Sequence, residues 1–189
     1  MAASSVLRLS SFCTIALAGL LIVTACGRAP RPVESLSTGS QWHEFHGTWT
    51  AAGTRTRIPL GDGRRASIAK LEGSLVLTGP SRPGVGFRAE ALVLNDTGTG
   101  TIGRAVWTDE RGDQVFSELK GQGTSTASHI VGTFLGGTGR YAGATGSYEF
   151  SWRFVLETED GGIQGQSMGL SGKIRVGSQN VSPDAGGPR

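Results

Sequence analysis

Cysteine is almost absent from this sequence of 189 residues, which contains only Cys13 and Cys26. Because none follows Cys26, the rest of the chain offers neither a disulfide framework nor a cysteine-based zinc site. Charged residues are also scarce, at 17% against an ordinary share of about 25%, and no long run of one sign occurs. The net charge of +3 is spread out, whereas nucleic-acid binding needs a clustered basic face, so we expect no nucleic-acid partner.

Long apolar runs are missing as well. The longest covers residues 12–23. It is too short for a membrane-spanning helix, which needs about 20 apolar residues, but it suits the apolar core of a signal peptide. It leads into the segment Val23–Cys26, which reads Val-Thr-Ala-Cys and resembles the lipobox of bacterial lipoproteins.

The lipobox resemblance implies that residues 1–25 are a lipoprotein signal peptide and that cleavage precedes Cys26. Acyl chains such as palmitate on Cys26 would then hold the protein on a membrane. Gly27 stands where inner-membrane lipoproteins often carry aspartate, which favours the outer membrane of a Gram-negative envelope, with the protein facing the periplasm. An ordinary secretory signal with a chance cysteine and an uncleaved anchor are the alternatives.

Two further segments lack any periodic pattern. Residues 26–40 mix glycine, proline and serine, which predicts a flexible tether after the lipidated cysteine. Residues 177–189 have a similar composition and predict a disordered tail. The folded domain is therefore expected at residues 41–176, where no helical period is found.

Glycine is the residue in excess: 31 are present, about twice the usual frequency of ~7%. Glycines and turn residues separate eight strand-like runs, namely 45–54, 66–78, 86–95, 101–108, 114–122, 129–135, 146–157 and 163–176. Eight consecutive antiparallel strands with short connections predict an all-β up-and-down barrel, because closure removes exposed sheet edges. A β-sandwich is the alternative. Charged residues within the strands exclude a lipid-facing barrel.

The most specific motif lies in the segment Thr133–Gly146. It resembles the GGTGRFxGAxG segment of the allene oxide cyclase-like and dirigent-like (calycin-type) barrels. The resemblance implies a glycine-rich turn crossing between two strands, residues that pack over the barrel end, and a homo-oligomer. The matching positions are Gly136, Gly137, Thr138, Gly139, Arg140, Tyr141 and Gly143. The catalytic acid of the plant cyclases has no motif match here, so cyclase activity does not carry over.

A weaker resemblance concerns the lipocalins, some of which are bacterial outer-membrane lipoproteins. The segment Gly47–Trp49 matches their G-x-W motif on the first predicted strand. This resemblance implies that Arg175, on the last strand, covers Trp49. The later T-D-Y motif of lipocalins is missing.

The strand near residue 150 alternates aromatic and polar side chains, so its aromatic rings share one face. Such a stripe belongs more often to a plain core than to a ligand site. If the barrel holds a ligand, the predicted lining is Trp49, Trp107, Tyr148, Phe150, Trp152 and Phe154.

Charged side chains also interrupt the apolar strands. Arg88 and Glu90 share a face with Leu92 and Leu94. Such charges are expected to face solvent, to form ion pairs at a barrel end, or to line a cavity as ligand anchors or acids. Glu90 is the first candidate for an acid inside the barrel.

No metal, cofactor or nucleophile site is predicted. His43 and His46 are three residues apart, so they would face opposite sides of a strand, and His129 is distant in sequence. Residues 136–139 lack the Lys-Ser/Thr ending of a phosphate loop, and nothing resembles a nucleophile elbow.

Three functions fit these features. The leading one is a non-enzymatic envelope lipoprotein that is anchored through Cys26 and binds a small apolar or aromatic molecule, or a protein partner, in or on its barrel. The second is a small-molecule isomerase or cyclase that uses a carboxylate inside the barrel. The third is a structural envelope protein with a filled core.

Overall fold

The computed structural model describes residues 41–123 and 127–177, and within them the chain forms a closed all-β barrel. The strands are β1 (His43–Gly61), β2 (Arg64–Thr78), β3 (Gly86–Asp96), β4 (Gly100–Asp109), β5 (Gln114–Gly123), β6 (Ala127–Gly137), β7 (Thr145–Glu157) and β8 (Gly162–Arg175). Every strand pairs antiparallel with its neighbours in sequence, and β8 closes onto β1. The prediction of an eight-stranded up-and-down barrel is confirmed.

Three predicted segments lie outside the described residues: the signal peptide at 1–25, the lipidated Cys26 with its tether to residue 40, and the tail beyond Gly177. Within the described ranges, no helix is long and apolar enough to cross a membrane.

Side chains alternate between the barrel interior and its outer surface, as the period of a β-strand requires. On β3, Phe87, Ala89 and Ala91 are buried, whereas Leu92 and Leu94 are among the exposed large hydrophobic residues. The even-numbered residues of β3 therefore face outward, which explains why apolar and charged residues occur together on that face. The interior face of all eight strands supplies one continuous hydrophobic core.

The connections divide the barrel into two ends. The turns β1–β2, β3–β4, β5–β6 and β7–β8 lie at one end, which we call the open end. The connections β2–β3, β4–β5 and β6–β7 lie at the other end, which we call the plugged end. A 3-10 turn, Gly139–Tyr141, lies in the β6–β7 connection. Because β1 begins and β8 finishes at the plugged end, the chain enters and leaves the barrel there.

The first strand is longer than predicted and contains an irregularity. Its hydrogen-bonded pairing with β2 continues to Gly61, well beyond the predicted end at Thr54. Its pairing with β8 shifts register between Gly47 and Thr50. There the backbone N–H of Trp49 donates to the buried hydroxyl of Ser167 over 2.7 Å, which satisfies a donor that the interrupted ladder leaves over.

Candidate functional site

Aromatic side chains form a cluster in the barrel interior. Trp49, Trp107, Tyr148, Phe150 and Trp152 are buried, and Phe154 is partly buried against the core. The structure therefore places all six aromatic residues named as a possible lining inside the barrel. Trp49 on β1 packs against Trp152 on β7, with ring centroids 4.9 Å apart.

Two interior glycines make room for these rings. A Cβ atom at Gly132 on β6 would overlap the ring of Tyr148, its partner on β7. A Cβ atom at Gly165 on β8 would lie 2.5 Å from Cζ2 of Trp152. Part of the glycine excess is therefore explained by the volume of the aromatic rings opposite, in addition to the turns.

The half of the interior nearer the plugged end is filled. Trp107 packs against Tyr148 with ring centroids 4.7 Å apart and against Phe134 at 5.3 Å. The Tyr148 hydroxyl shares a hydrogen bond of 2.8 Å with Ser117. Burial raises the pKa of Tyr148 above its ordinary range, so this hydroxyl stays protonated. A void of only about 10 Å³ remains in this region.

The glycine-rich motif forms the plug. Gly136 and Gly137 end β6, and Tyr141 in the 3-10 turn is only 1% exposed. The motif is fastened to the β4–β5 connection and to the first residue of β5 by three hydrogen bonds, one of them from the backbone N–H of Thr138 to the carbonyl oxygen of Gln114 over 2.8 Å. The backbone N–H of Gln114 donates to the Thr138 hydroxyl over 2.9 Å, and the backbone N–H of Arg140 donates to Asp113 Oδ2 over 3.2 Å.

A buried ion pair completes the plug. Nη2 of Arg140 lies 2.6 Å from Oδ2 of Asp109, whose side chain is fully buried. Burial alone would raise the pKa of Asp109, but the backbone N–H of Arg111 and the charge of Arg140 outweigh burial and lower it. The Arg140 guanidinium also lies over the Tyr141 ring, 5.1 Å from its centroid. Burial raises the pKa of Tyr141, against the effect of Arg140.

The half nearer the open end contains a cavity of about 80 Å³. This is several times the space that one water molecule needs, about 10–15 Å³. Apolar side chains make up most of the lining, and five polar or charged side chains join them. The lining consists of Trp49, Ala69, Leu71, Val93, Leu119, Ile130, Phe150, Trp152 and Phe154 with Arg55, Ser67, Asn95, Thr101 and Ser128. An apolar cavity with a few polar groups is the usual form of a small-molecule site.

Arg55 is the charged residue of this lining, and its side chain is only 9% exposed. Its Nε donates to Glu157 Oε1 over 3.2 Å, and its Nη2 pairs with the other carboxylate oxygen. Its guanidinium carbon lies 4.4 Å from the centroid of the Phe154 ring. The arginine is thus held in place by an ion pair on one side and an aromatic face on the other.

Two other polar residues of the lining satisfy each other. The side-chain amide of Asn95 donates to the hydroxyl of Thr101 over 2.6 Å. The indole N–H groups of Trp49 and Trp152, in contrast, are buried and have no hydrogen-bond partner in the part of the chain that the structure describes.

Glu90 lies elsewhere. Its side chain is 41% exposed on the outer surface of β3, where its Oε1 is 3.2 Å from Nη2 of Arg88. Arg88 also pairs with Glu72 over 2.7 Å. The expectation of a Glu90 carboxylate projecting into the barrel is therefore corrected: inward positions on β3 have odd numbers, and Glu90 belongs to the opposite set.

Arg175 does not cover Trp49 as the lipocalin resemblance implies. Its guanidinium carbon lies 5.1 Å from the ring centroid of Trp42, a half-exposed residue that precedes β1. Trp49 is covered instead by core residues such as Trp152 and Phe150.

The three histidines do not converge. His43 Nδ1 lies 2.9 Å from the carbonyl oxygen of Ser81, and His129 Nε2 lies 3.6 Å from the Glu149 carboxylate. Across residues 41–123 and 127–177, no group of three or more His, Cys, Asp or Glu residues could hold a metal ion.

Arg55 and the polar residues around it were not among the predicted site residues. Counting in steps of two from Trp49 along β1 passes Ala51 and Gly53 and reaches Arg55, so the signal was present. The signal was lost because the predicted strand ended at Thr54, one residue before Arg55.

No protein-family model matches the sequence, and no curated protein matches it. A solved structure with a similar backbone is that of the pterocarpan synthase dirigent protein GePTS1, with 11% sequence identity and a TM-score of 0.38. The match covers 72% of this chain and 93% of that chain.

Proposed function

We propose that this protein is an envelope lipoprotein whose barrel binds a small, mainly apolar molecule without transforming it. The observation that carries the proposal is the cavity at the open end, with its tryptophan and phenylalanine walls and few polar groups. A filled structural barrel would have no need for this space, because protein interiors are otherwise closely packed. The contrast with the filled half of the same barrel supports a binding role for the open half.

The isomerase alternative needs an acid or base in contact with the bound molecule. Among the described residues that line the cavity, none carries a carboxylate or an imidazole. The fully buried carboxylate of Asp109 belongs to the plugged end, where Arg140 neutralises it. These placements favour binding over catalysis.

The test is native mass spectrometry of the full chain, extracted from its host in detergent. We expect a co-purified small molecule that is absent from an Ala69→Leu variant, because Ala69 lines the cavity and the larger side chain would occupy it. Ala52→Leu is the matched control, because Ala52 is exposed on β1 and its replacement should leave the bound molecule in place. Equal occupancy in wild type and Ala69→Leu would contradict binding in this cavity.

Membrane attachment through Cys26 is a separate part of the proposal, and it rests on the lipobox resemblance. Cys26→Ser removes the only thiol that could carry the lipid after cleavage. We expect the variant protein to leave the membrane fraction. Retention of the variant in that fraction would argue against lipidation.

A further inference from the structure

The cavity has chemically different sides. Trp49, Trp152 and Phe150 form an apolar surface, whereas Arg55 is the one charged residue among the described residues of the lining and lies at the open end. Two ring contacts connect the tryptophans with this charge. Trp152 packs edge-on against Phe154 with ring centroids 6.1 Å apart, and the Arg55 guanidinium lies over the face of the Phe154 ring. A molecule resting on the tryptophans therefore lies beside a cation.

The charge of Arg55 is only partly compensated. Glu157 pairs with Arg55 and also with Arg57, so one carboxylate serves two guanidinium groups. The bond from Nε and the contact through Nη2 occupy one edge of the Arg55 fork. Within the described part of the chain, Nη1 has no such partner. Arginine presents five N–H donors in a planar arrangement that matches a carboxylate, so an anion can share this group.

The two unpartnered indole N–H groups, of Trp49 and Trp152, also favour a ligand that carries a hydrogen-bond acceptor. Both nitrogens are covered by neighbouring side chains, so a ligand acceptor would reach them only after a ring turns. A buried donor without a partner is costly, and a bond to an acceptor removes that cost. Besides Arg55, the hydroxyl groups of Ser67 and Ser128 line the cavity as donors, and the indole N–H groups of Trp49 and Trp152 become donors after such a ring turn. The side-chain amide of Asn95 already donates to Thr101.

We propose that the ligand of the open-end cavity is a small amphipathic anion: a planar apolar body that packs on Trp49 and Trp152, with a carboxylate or similar acceptor bound by Arg55. This inference rests on the proposed binding function and specifies its ligand class. Arg55 acts as the anchor that selects the anion, and the aromatic walls supply the apolar contact.

The experiment compares two probes of the same shape, benzoate and the neutral benzamide, at neutral pH. Each is titrated into the full chain in detergent, and the indole N–H signals are followed by NMR. We expect the signals of Trp49 and Trp152 to move more than that of Trp42, which lies outside the barrel. Benzoate should bind at least about tenfold more tightly than benzamide, which corresponds to about 1.4 kcal/mol.

Two variants test the anchor. Arg55→Met should remove most of the preference for benzoate and change benzamide binding much less. Arg57→Met is the matched control, because Arg57 pairs with the same Glu157 but does not line the cavity, and it should keep the preference. The wild-type preference needs no variant, so the proposal can be tested even if Arg55→Met folds poorly.

The outcomes separate the two proposals. If both probes bind equally well to the wild type, or if Arg55→Met weakens both equally, the anionic ligand class is wrong while the binding function stands. If neither probe moves the Trp49 and Trp152 signals, the proposed binding function itself is contradicted.

Discussion

Each end of the barrel carries an arginine–carboxylate pair, and the two pairs differ in which partner is buried. At the plugged end, Asp109 is fully buried and Arg140 is 21% exposed. At the open end, Arg55 is only 9% exposed, whereas its partner Glu157 is 31% exposed and also pairs with Arg57. Arg55 is therefore more buried than Arg140, but its partner Glu157 is in contact with both solvent and a second cation, Arg57.

This difference separates a structural pair from an available one. Removing a partner is costly when it leaves a charge buried and uncompensated. Asp109 would be left in that state without Arg140, whereas Glu157 would keep Arg57 and water without Arg55. The plugged end is therefore expected to depend on its ion pair for stability. The open end can offer its arginine to a ligand.

The largest expected effect follows from this contrast. Arg140→Met should lower the free energy of unfolding by about 3–5 kcal/mol, because the Asp109 carboxylate stays buried without its cation. Arg55→Met should cost less than about 1 kcal/mol, because the carboxylate left behind is partly exposed. Urea unfolding of the two variants measures both values. An equal loss in both would remove the distinction between the two ends.

A second effect tests how tightly the plugged half is packed. Gly132→Ala places a methyl group in the space of the Tyr148 ring and should cost about 1–3 kcal/mol through overpacking. Gly86→Ala is the matched control, because a Cβ atom there meets no atom within 4 Å and should change stability little. Thermal unfolding compares the two. A Gly132→Ala variant with unchanged stability would show that the packing of the plugged half adjusts to an added methyl group.

Alkaline pH gives a third measure of the plugged half, where both tyrosines of the chain lie buried. Unfolded tyrosines ionise near pH 10, but burial raises the pKa of Tyr141 and Tyr148 in the folded chain. Above about pH 10 the unfolded state therefore binds fewer protons. The free energy of unfolding should then fall with rising pH, by at most about 1.4 kcal/mol per tyrosine and pH unit.

Tyr148→Phe isolates one of these contributions. Urea unfolding between pH 9 and 11 should show a shallower decline for this variant than for the wild type. An unchanged slope would show that Tyr148 ionises without unfolding the barrel.

The smallest effect is expected at the open end. Ala69→Leu adds atoms to existing space and should change the free energy of unfolding by less than about 1 kcal/mol. The same exchange at Ala89, which is 2% exposed beside the void of about 10 Å³, should cost about 1–3 kcal/mol. Differential scanning calorimetry of the pair compares the two halves directly. Similar losses in both variants would contradict a packing difference.

The fold could be predicted because its signals are local. Alternation along strands such as the one around Phe150, together with glycine-rich turns, depends on neighbouring residues and survives without any knowledge of the tertiary structure. The wrong position of Glu90 came from not deciding which of the two faces of β3 is inside. The inner face of β3 contains the small residues Ala89 and Ala91, whereas the outer face contains the larger apolar residues Leu92 and Leu94. The size of the apolar residues therefore did not indicate which face is buried.

The site was harder to predict, for reasons of distance and volume. The pair of Asp109 and Arg140 joins the end of β4 to the β6–β7 connection, far along the sequence, and no local pattern indicates that they meet. The cavity is space left over by side-chain packing, so it depends on ring orientations such as that of Trp152 over Gly165. Arg55 had a usable signal, because it continues the inward set of β1.

The position of the chain ends gives the barrel a direction. Strand β1 starts and strand β8 stops at the plugged end, and the backbone N–H of Gly177 still bonds there to the carbonyl of Ala142. The residues that directly precede β1 and follow β8 therefore join the barrel at the plugged end, opposite the end that contains the cavity.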